Sequence, residues 1–296
     1  MVKPNILCVG HVNLDEILYA HNELRQERSC KVESFISAGG GATNTATLLS
    51  TNKNIGNVYL AGDVGNDDRG DKVIHSLNKH GVKLANPQNE NNSTTKIRAI
   101  ITPDKNPQYM HEDQNLDFFE PSDISDEVWN SLDHVHITSF DVEMATLFAE
   151  RAKEENLTVS FNPTQGYFEE SFESVVELSD LVQMNRGESE TFTKRHGSIG
   201  AVVNKGKDVV VTHGPAGSTL YSSDGIAHHE GYTVEKVLDT VGAGDSFMAG
   251  LISSWVNEES KEENLKSANA HGALSVQVKG APKSISEKEI QNILKN

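Results

Sequence analysis

Short apolar runs alternate with helical patterns along most of this chain, and a turn or a glycine marks each junction. Strands joined by crossover helices in a parallel sheet produce this alternation. The segments that carry it are residues 5–10, 42–52, 57–61, 67–80, 134–138, 143–155, 158–162, 181–185, 188–196, 209–213, 243–256 and 261–278. The sequence therefore predicts an α/β fold with a doubly wound, mostly parallel sheet flanked by helices.

Two stretches interrupt the alternation, residues 15–37 and residues 93–119. Within the second, residues 95–102 follow a period of two, which is typical of a strand. We expect both stretches to form a small separate sheet, a lid over the carboxyl ends of the main strands, where such folds bind ligands. The alternative is a pair of surface hairpins. No linker or internal repeat divides the chain, so residues 1–296 are predicted to form one domain with these segments inserted.

Charge and cysteine content limit the classes of partner. The 296 residues include 43 acidic and 26 basic ones, which gives a net charge of −17. This charge repels nucleic-acid phosphates and anionic lipids, so neither nucleic acid nor a membrane is expected as a partner. Two cysteines, Cys8 and Cys30, cannot form a secreted disulfide framework, and no 18 apolar residues run together. A cytoplasmic location is therefore expected.

The most informative segment runs from Asp239 to Gly250 and reads Asp-Thr-Val-Gly-Ala-Gly-Asp-Ser-Phe-Met-Ala-Gly. Gly242, Ala243 and Gly244 leave backbone N–H groups bare where a helix pattern begins, an arrangement that binds anions such as a phosphoryl group. Asp245 follows directly. It is either a helix cap or a base that takes a proton from an attacking hydroxyl while the amides hold the growing negative charge.

A second glycine-rich motif, Gly39-Gly-Gly-Ala-Thr-Asn44, lies about 200 residues before the first. Five intermediate motifs fall in order between or beside them: Gly10-His-Val-Asn13-Leu-Asp15, Asn162-Pro-Thr-Gln165, Asn185-Arg-Gly-Glu188, Thr212-His-Gly-Pro-Ala-Gly217 and Lys279-Gly-Ala281. Together these motifs resemble the PfkB family of carbohydrate and nucleoside kinases, which have the ribokinase-like fold. The resemblance implies an ATP-dependent kinase that phosphorylates an alcohol group.

The resemblance also implies roles for individual residues. It makes Asp245 the base, and Gly242, Ala243 and Gly244 the anion hole. The residues it implies for sugar binding are Asn13, Asp15, Gly39, Gly40 and Asn44. A carboxylate suits this task because it accepts hydrogen bonds from two neighbouring hydroxyls. The alternatives are that Asp15 is a turn residue and that Asn44 is a helix cap.

On the nucleotide side, the resemblance implies that Thr212, Gly214 and Gly217 form a turn along ATP and that Asn269 contacts the nucleotide. Asn185 and Glu188 match an element that helps to position Mg²⁺, usually through water. A carboxylate at the place of Glu188 is also consistent with a helix cap.

A loop that binds an activating K⁺ in ribokinase-like proteins is matched by Asp239, the backbone of Val241, Gly280 and Ser284. Many ribokinases have Thr where this chain has Val241, but a backbone carbonyl ligand survives that change. Oxygen ligands from two loops beside the anion hole would couple such an ion to its shape.

The expected acceptor is the hydroxymethyl group of a ribose-type furanose. The alternatives are a nucleoside, ribose 1-phosphate or, as a different class, a non-catalytic binding protein on the same fold. Lys96, with Arg98 on the same side of its strand, is predicted to meet a phosphate or carboxylate on the acceptor. Asp141 is predicted to contact the sugar or nucleoside from the opposite side.

Two further expectations concern assembly and the interior. Exposed edges of the lid strands predict a homodimer formed through the lid. His134 and His136 project from one face of a strand pattern without a third ligand at a suitable spacing. They are therefore interpreted as partly buried structural residues rather than metal ligands.

Overall fold

The computed structural model describes residues 2–25, 27–103, 107–112, 119–138, 141–163, 172–281 and 284–295. Its strands are β1 (Ile6–Gly10), β2 (Asn13–Ala20), β3 (Val32–Gly39), β4 (Val58–Ala61), β5 (Val82–Leu84), β6 (Lys96–Ile101), β7 (Pro107–Glu112), β8 (His134–Thr138), β9 (Thr158–Asn162), β10 (Leu181–Asn185), β11 (Asp208–Thr212), β12 (Ser218–Ser222) and β13 (Gly225–His229). Its α-helices are α1 (Gly41–Ser50), α2 (Asp68–Lys79), α3 (Asp126–Trp129), α4 (Val142–Glu154), α5 (Glu173–Leu178), α6 (Arg186–His196), α7 (Ile199–Val203), α8 (Ala243–Trp255), α9 (Lys261–Ser275) and α10 (Glu287–Ile293).

Nine strands form the central sheet in the order β13-β12-β11-β10-β9-β8-β1-β4-β5. All neighbours from β11 to β5 are parallel, whereas β12 and β13 pair antiparallel at one edge. The predicted fold class is confirmed. The antiparallel edge hairpin was not predicted, because its polar and histidine-rich strands lack the apolar runs that mark the buried parallel strands.

Helices cover both faces of the central sheet. In β1, Leu7 and Val9 pack into the apolar core that contains residues of α3 to α7, and Ile6 and Cys8 into the core that contains residues of α1, α2, α8 and α9. This alternation follows from the two-residue period of a strand. Within the described residues, no helix combines the length and hydropathy that a bilayer span requires.

A separate small sheet has the order β3-β2-β6-β7. β2 pairs antiparallel with β3 and parallel with β6, and β7 closes the other edge antiparallel to β6. Residues 104–106 and 113–118 of the predicted lid segment lie outside the described residues. β2 and β3 together extend two residues beyond the segment 15–37 at each end, because they continue to Asn13 and Gly39 beside the central sheet.

The register of the small sheet decides which side chains share a face. Asp15 is opposite Ser37 and Ile97, and Ile97 is opposite His111. Directly paired residues point to the same face, and neighbours along a strand point to opposite faces. We call the face that carries Asp15 the inner face and the other the outer face.

Candidate active site

Asp245 lies in the first turn of α8. The N-cap residue of this helix is Gly242, with a left-handed φ of 74°, so Asp245 does not cap it. The Nδ2 of Asn44 donates a hydrogen bond to Asp245 Oδ2 at 2.8 Å. The two glycine-rich motifs therefore meet at this carboxylate, and the positive end of the α8 dipole favours its charged form.

Open space borders the backbone that leads into α8. Gly244 is exposed, and a Cβ built there would meet no atom within 4 Å. Ser246 N donates to Gly242 O at 2.9 Å, which holds the loop against the helix. The first N–H groups of a helix lack intrahelical partners. Ala243 N donates to Thr240 O at 3.2 Å, so the expectation of three bare amides holds only in part. The amides left to meet an anion beside Asp245 are those of Gly242 and Gly244.

Gly39 and Gly40 are required by close contacts. A Cβ on Gly39 would lie 1.8 Å from Asp15 Oδ2, and a Cβ on Gly40, whose φ is 93°, would lie 2.1 Å from the carbonyl oxygen of His11. Gly40 is the N-cap of α1, which excludes the alternative that Asn44 caps this helix. The glycines let β2 and the start of α1 come together, and the Asn44 side chain reaches Asp245.

Asn13 and Asp15 belong to β2, so Asp15 is a strand residue rather than a turn residue. Asn13 is buried and pairs with Gly39, and the Asp15 carboxylate lies against Gly39. The predicted sugar-binding residues are thereby brought together from β2, the 39–40 turn and α1. Hydrogen-bond acceptors and an amide thus lie near one another in a candidate acceptor cleft, and Asn44 connects them to Asp245.

Two histidines that were not predicted to be site residues also lie at this cleft. His11 follows β1 directly, and His111 lies on the inner face of the small sheet opposite Ile97. Burial lowers the pKa of His11, the charge of His111 lowers it further, and the carboxylate of Asp141 raises it. Asp141 caps α4 by accepting from Glu143 N at 2.9 Å. The position of His11 at the carboxyl end of a central strand was the signal available in the sequence.

On the nucleotide side, Thr212 ends β11 and a short 3-10 turn, Gly214–Ala216, follows. Gly214 has a φ of 60° and open space around its Cβ position. Gly217 has a φ of 91°, and a Cβ there would lie 2.0 Å from His229 O, so packing against β13 demands this glycine. Gly214 is thus the open position of the turn.

Asn269 is buried on α9 and makes contacts within the protein. Its Nδ2 donates to Ser218 Oγ and to Leu265 O, each at 2.8 Å. The bond to Ser218 connects α9 to the start of β12, directly after Gly217, and the bond to Leu265 O lies within α9. Asn269 therefore stabilises the end of this turn through Ser218, the residue that follows Gly217.

Asn185 and Glu188 form a capping box at the start of α6. Glu188 N donates to Asn185 Oδ1 at 2.9 Å, and Asn185 N donates to Glu188 Oε2 at 2.7 Å. Burial raises the pKa of Glu188 to about 7. The pair therefore caps α6, the alternative given for Glu188. It lies at the carboxyl end of β10, where Asn185 pairs with Thr212 of β11.

Asp239 joins the two loops of the predicted K⁺ site. Its Oδ1 accepts from Val241 N at 3.0 Å, and its Oδ2 accepts from Gly280 N at 3.0 Å and from the hydroxyl of Tyr19. Ser284 lies four residues beyond Gly280. Among the described residues, no group of three or more His, Cys, Asp or Glu side chains is arranged to hold a metal ion.

Lys96 does not lie in this cleft, which corrects the expectation that it meets the acceptor. Its Nζ is 2.8 Å from Glu16 Oε2 on the outer face, opposite to Asp15. Arg98 shares this face as predicted and contacts the same oxygen of Glu16 and Oε1 of Glu112. The one-residue offset between Asp15 and Glu16 directs these cations away from the site.

His134 and His136 are fully buried in β8, rather than partly buried as expected. His134 bonds to Thr158 Oγ1 and Ser160 Oγ at 2.8 Å, and His136 Nδ1 bonds to Ser160 Oγ at 2.9 Å. Burial lowers the pKa of each to about 3. Their partners are neutral hydroxyls on β9, as befits structural residues.

Comparisons with known proteins agree with this geometry. The family model described as pfkB family carbohydrate kinase matches residues 3–288. An ATP-dependent ribose-1-phosphate kinase of Halopiger xanaduensis is 29% identical over 279 residues, which covers 93% of both chains. A nucleoside kinase of Methanocaldococcus jannaschii is 27% identical over 285 residues, 93% of this chain and 91% of its own length.

Solved structures share the fold. The nucleoside kinase of Methanocaldococcus jannaschii has a TM-score of 0.82 at 23% identity and covers 99% of both chains. The Arabidopsis thaliana ribokinase, solved with ribose and ATP, has a TM-score of 0.84 at 24% identity and covers both chains completely, at 100%. Because the family model spans nearly the whole chain, this protein belongs to the pfkB family of carbohydrate kinases and is an ATP-dependent kinase.

Proposed function

We propose that this kinase transfers the γ-phosphoryl group of ATP to the hydroxymethyl oxygen of a ribofuranose. The observation that carries the proposal is the contact between Asn44 and Asp245, because it joins the residues proposed to bind the sugar to the proposed base. Asp15, Asn13 and the 39–40 turn lie around the same point and offer acceptors and an amide to ring hydroxyls.

The proposed reaction is an in-line displacement. Asp245 accepts the proton of the hydroxymethyl group, and the oxygen forms a new bond to the γ-phosphorus as the bond between that phosphorus and the β,γ-bridging oxygen breaks. The amides of Gly242 and Gly244 would face the developing negative charge. The small sheet keeps water from competing with the acceptor.

ATP is proposed to lie along the turn from Thr212 to Gly217, with its phosphates directed to the start of α8. The open Gly214 and the Asn269 contacts that support the turn favour this arrangement. Asn185 and Glu188 would hold Mg²⁺ through water. The desolvated carboxylate of Glu188 suits a nearby cation, which would neutralise phosphate charge when bound.

A K⁺ ion is proposed between the two loops that meet at Asp239. The carbonyl groups of Val241 and Gly280 and the hydroxyl of Ser284 supply oxygen donors of the kind that this ion prefers. The convergence of these loops at one carboxylate supports the assignment. Such an ion would stabilise the loop that leads into α8.

The test is phosphoryl transfer by the wild type and by Asp245→Asn, measured as ADP release with Mg-ATP and saturating ribose, fructose, ribose 1-phosphate, adenosine or cytidine. Loss of the base should lower kcat about 10³-fold or more. ATP binding, measured by calorimetry, should stay within a few-fold because Asn keeps the shape. Near-normal turnover of Asp245→Asn would refute the assignment of the base.

Ribose 1-phosphate is a second candidate acceptor that one observation favours. His11 and His111 approach the cleft from the central and the small sheet, and a ring N–H of each is able to donate a hydrogen bond to a phosphate on C1. The similarity to the Halopiger xanaduensis ribose-1-phosphate kinase supports the same choice. A lower KM for ribose 1-phosphate than for ribose would favour it over the free sugar.

We propose in addition that the protein is a cytoplasmic homodimer joined through the small sheet. Exposed apolar side chains on its outer face, Val32, Ile36 and Met110, support this contact. The described cysteines, Cys8 and Cys30, are both free thiols, which supports a reducing compartment. Sedimentation velocity measures the proposed dimer directly.

A further inference from the structure

Three segments of the chain meet at the carboxylate of Asp239. Val241 N and Gly280 N belong to loops of the main α/β layers, whereas the third donor, the Tyr19 hydroxyl, comes from β2 of the small sheet. Asp239 and Val241 lie in the loop that continues directly into the proposed anion hole, which begins at Gly242. One hydrogen bond thus connects the small sheet to that loop.

Packing holds the Tyr19 ring in the position that this bond requires. Tyr19 and Val241 both pack against the small apolar cluster that contains Ile17. A Cβ on Gly280 would lie 3.3 Å from Ile17 Cδ1. The Nζ of Lys279 lies 4.8 Å from the Tyr19 ring centroid and pairs with Glu33 of β3. Removal of the hydroxyl alone would leave these contacts in place.

The Tyr19 hydroxyl donates to a carboxylate oxygen of Asp239. A hydrogen bond from a neutral donor to a carboxylate is among the stronger ones in proteins. The hydrogen bond from Tyr19 is therefore able to orient the carboxylate of Asp239.

β2 carries an acceptor residue and Tyr19 on the same inner face. Asp15 and Tyr19 are four residues apart, which is about 13 Å along a strand. One end of the strand lies against Gly39 in the sugar pocket, and the other reaches Asp239. A paired strand is stiff, so a change in its position at Asp15 moves Tyr19 as well.

We propose that Tyr19 is a positioning residue: through Asp239 it sets the loop of residues 239–244, so that an acceptor held at Asp15 and a formed anion hole occur together. This rests on the proposed function, in which the amides of that loop receive the phosphoryl charge. When the hydrogen bond between Tyr19 and Asp239 is broken, the acceptor still binds, but the loop of residues 239–244 adopts the anion-hole conformation less often.

The first test is Tyr19→Phe, which keeps the ring and removes the hydroxyl. The kcat for the best acceptor should fall about tenfold, while its KM and the melting temperature stay close to those of the wild type. Tyr59→Phe is the matched control, because Tyr59 lies on β4 of the central sheet with Lys83 over its ring and takes no part in the site. An unchanged kcat for Tyr19→Phe would overturn the inference.

The second test asks whether Tyr19 acts through Asp239. In the Asp239→Asn background, Tyr19→Phe should cost much less than tenfold, because the two changes break the same contact. Fully additive losses would contradict this. If Asp239→Asn does not fold, amide hydrogen exchange of the wild type and Tyr19→Phe replaces it: acceptor should protect residues 239–244 only in the wild type. Equal protection in both would overturn the inference.

The outcomes separate the two proposals. A wild type that is inactive with every acceptor would refute the proposed function, whatever the Tyr19 variant does. A wild type that is active and loses activity as Asp245→Asn, but not as Tyr19→Phe, would refute only the role of Tyr19.

Discussion

The two sheets of this protein use polar side chains on strands in different ways. In the central sheet, His134 and His136 are buried in β8 and bond to hydroxyls of β9, the next strand. In the small sheet, the Tyr19 hydroxyl bonds to Asp239, which lies in a loop far along the chain, and the Asp15 carboxylate lies against Gly39, where β3 leads into α1. The first arrangement supports the sheet itself, and the second links the small sheet to the candidate active site.

The outer face of the small sheet sharpens the contrast. Glu16 and Glu112 share their oxygens with Lys96, Arg98 and Arg69 in a partly exposed ion-pair network. One residue along the strand therefore separates a group proposed to bind substrate from a group that pairs with surface cations. Chemical type alone does not distinguish the two carboxylates, but their face does.

The largest effect should come from comparing the two faces directly. Asp15→Asn should lower kcat/KM for the acceptor about 100-fold, a loss of about 2.7 kcal/mol of transition-state stabilisation, because an amide replaces a charged acceptor of two hydroxyl hydrogen bonds. Glu16→Gln, the matched control on the outer face, should change kcat/KM less than twofold. Steady-state kinetics with the best acceptor measures both. Equal losses of kcat/KM in the two variants would show that the two faces do not differ in acceptor binding.

The buried histidines should show their effect in acid. Each folded pKa of about 3 lies below the ordinary value of 6.5, so the unfolded chain binds more protons below about pH 6.5. Stability is then full above that pH and falls as the pH decreases toward 3, by about 2 kcal/mol per histidine between pH 7 and pH 5. Urea unfolding at both pH values measures the loss.

The control for this prediction is a histidine on the surface. His134→Gln should reduce the difference between pH 7 and pH 5, whereas His75→Gln, at an exposed position of α2, should leave it unchanged. An equal acid dependence in the wild type and His134→Gln would show that the buried histidines do not carry it.

The smallest effect should come from the outer-face cation. Lys96→Gln breaks one ion pair with Glu16, which still has Arg98 as a partner. Partly exposed pairs of this kind contribute about 1 kcal/mol or less to the free energy of unfolding. The KM for ribose 1-phosphate should stay within twofold of the wild type. A tenfold rise in that KM would show that Lys96 contacts the acceptor and would contradict its assignment to the outer face.

Much of the fold was predictable because the central strands are apolar runs with crossover helices between them. β1, β8 and β10 begin and end within one residue of the predicted segments. The edge hairpin of β12 and β13 was not predicted, because polar residues interrupt the apolar residues of β12 and two histidines end β13. The family resemblance, carried by motifs in order, was likewise confirmed.

The candidate site was predictable where backbone geometry demands a residue type. Gly39 and Gly40 allow contacts that no side chain would, and Gly242 takes a left-handed φ. Side-chain direction was not predictable before the register of β2 and β6 was known. Lys96 was therefore placed on the wrong face, and Tyr19, on the same face as Asp15, was missed.

The most direct test of the central claim is the position of the new phosphate. The wild type is incubated with Mg-ATP and its best acceptor from the ribose, ribose 1-phosphate and nucleoside panel, and the product is examined by phosphorus–proton NMR. Apart from the signals of ATP, of the released ADP and of the acceptor itself, we expect one new phosphomonoester signal coupled to two methylene protons, as phosphorylation of the hydroxymethyl group requires. A new phosphomonoester coupled to a single ring proton, or inorganic phosphate and ADP alone, would contradict the account.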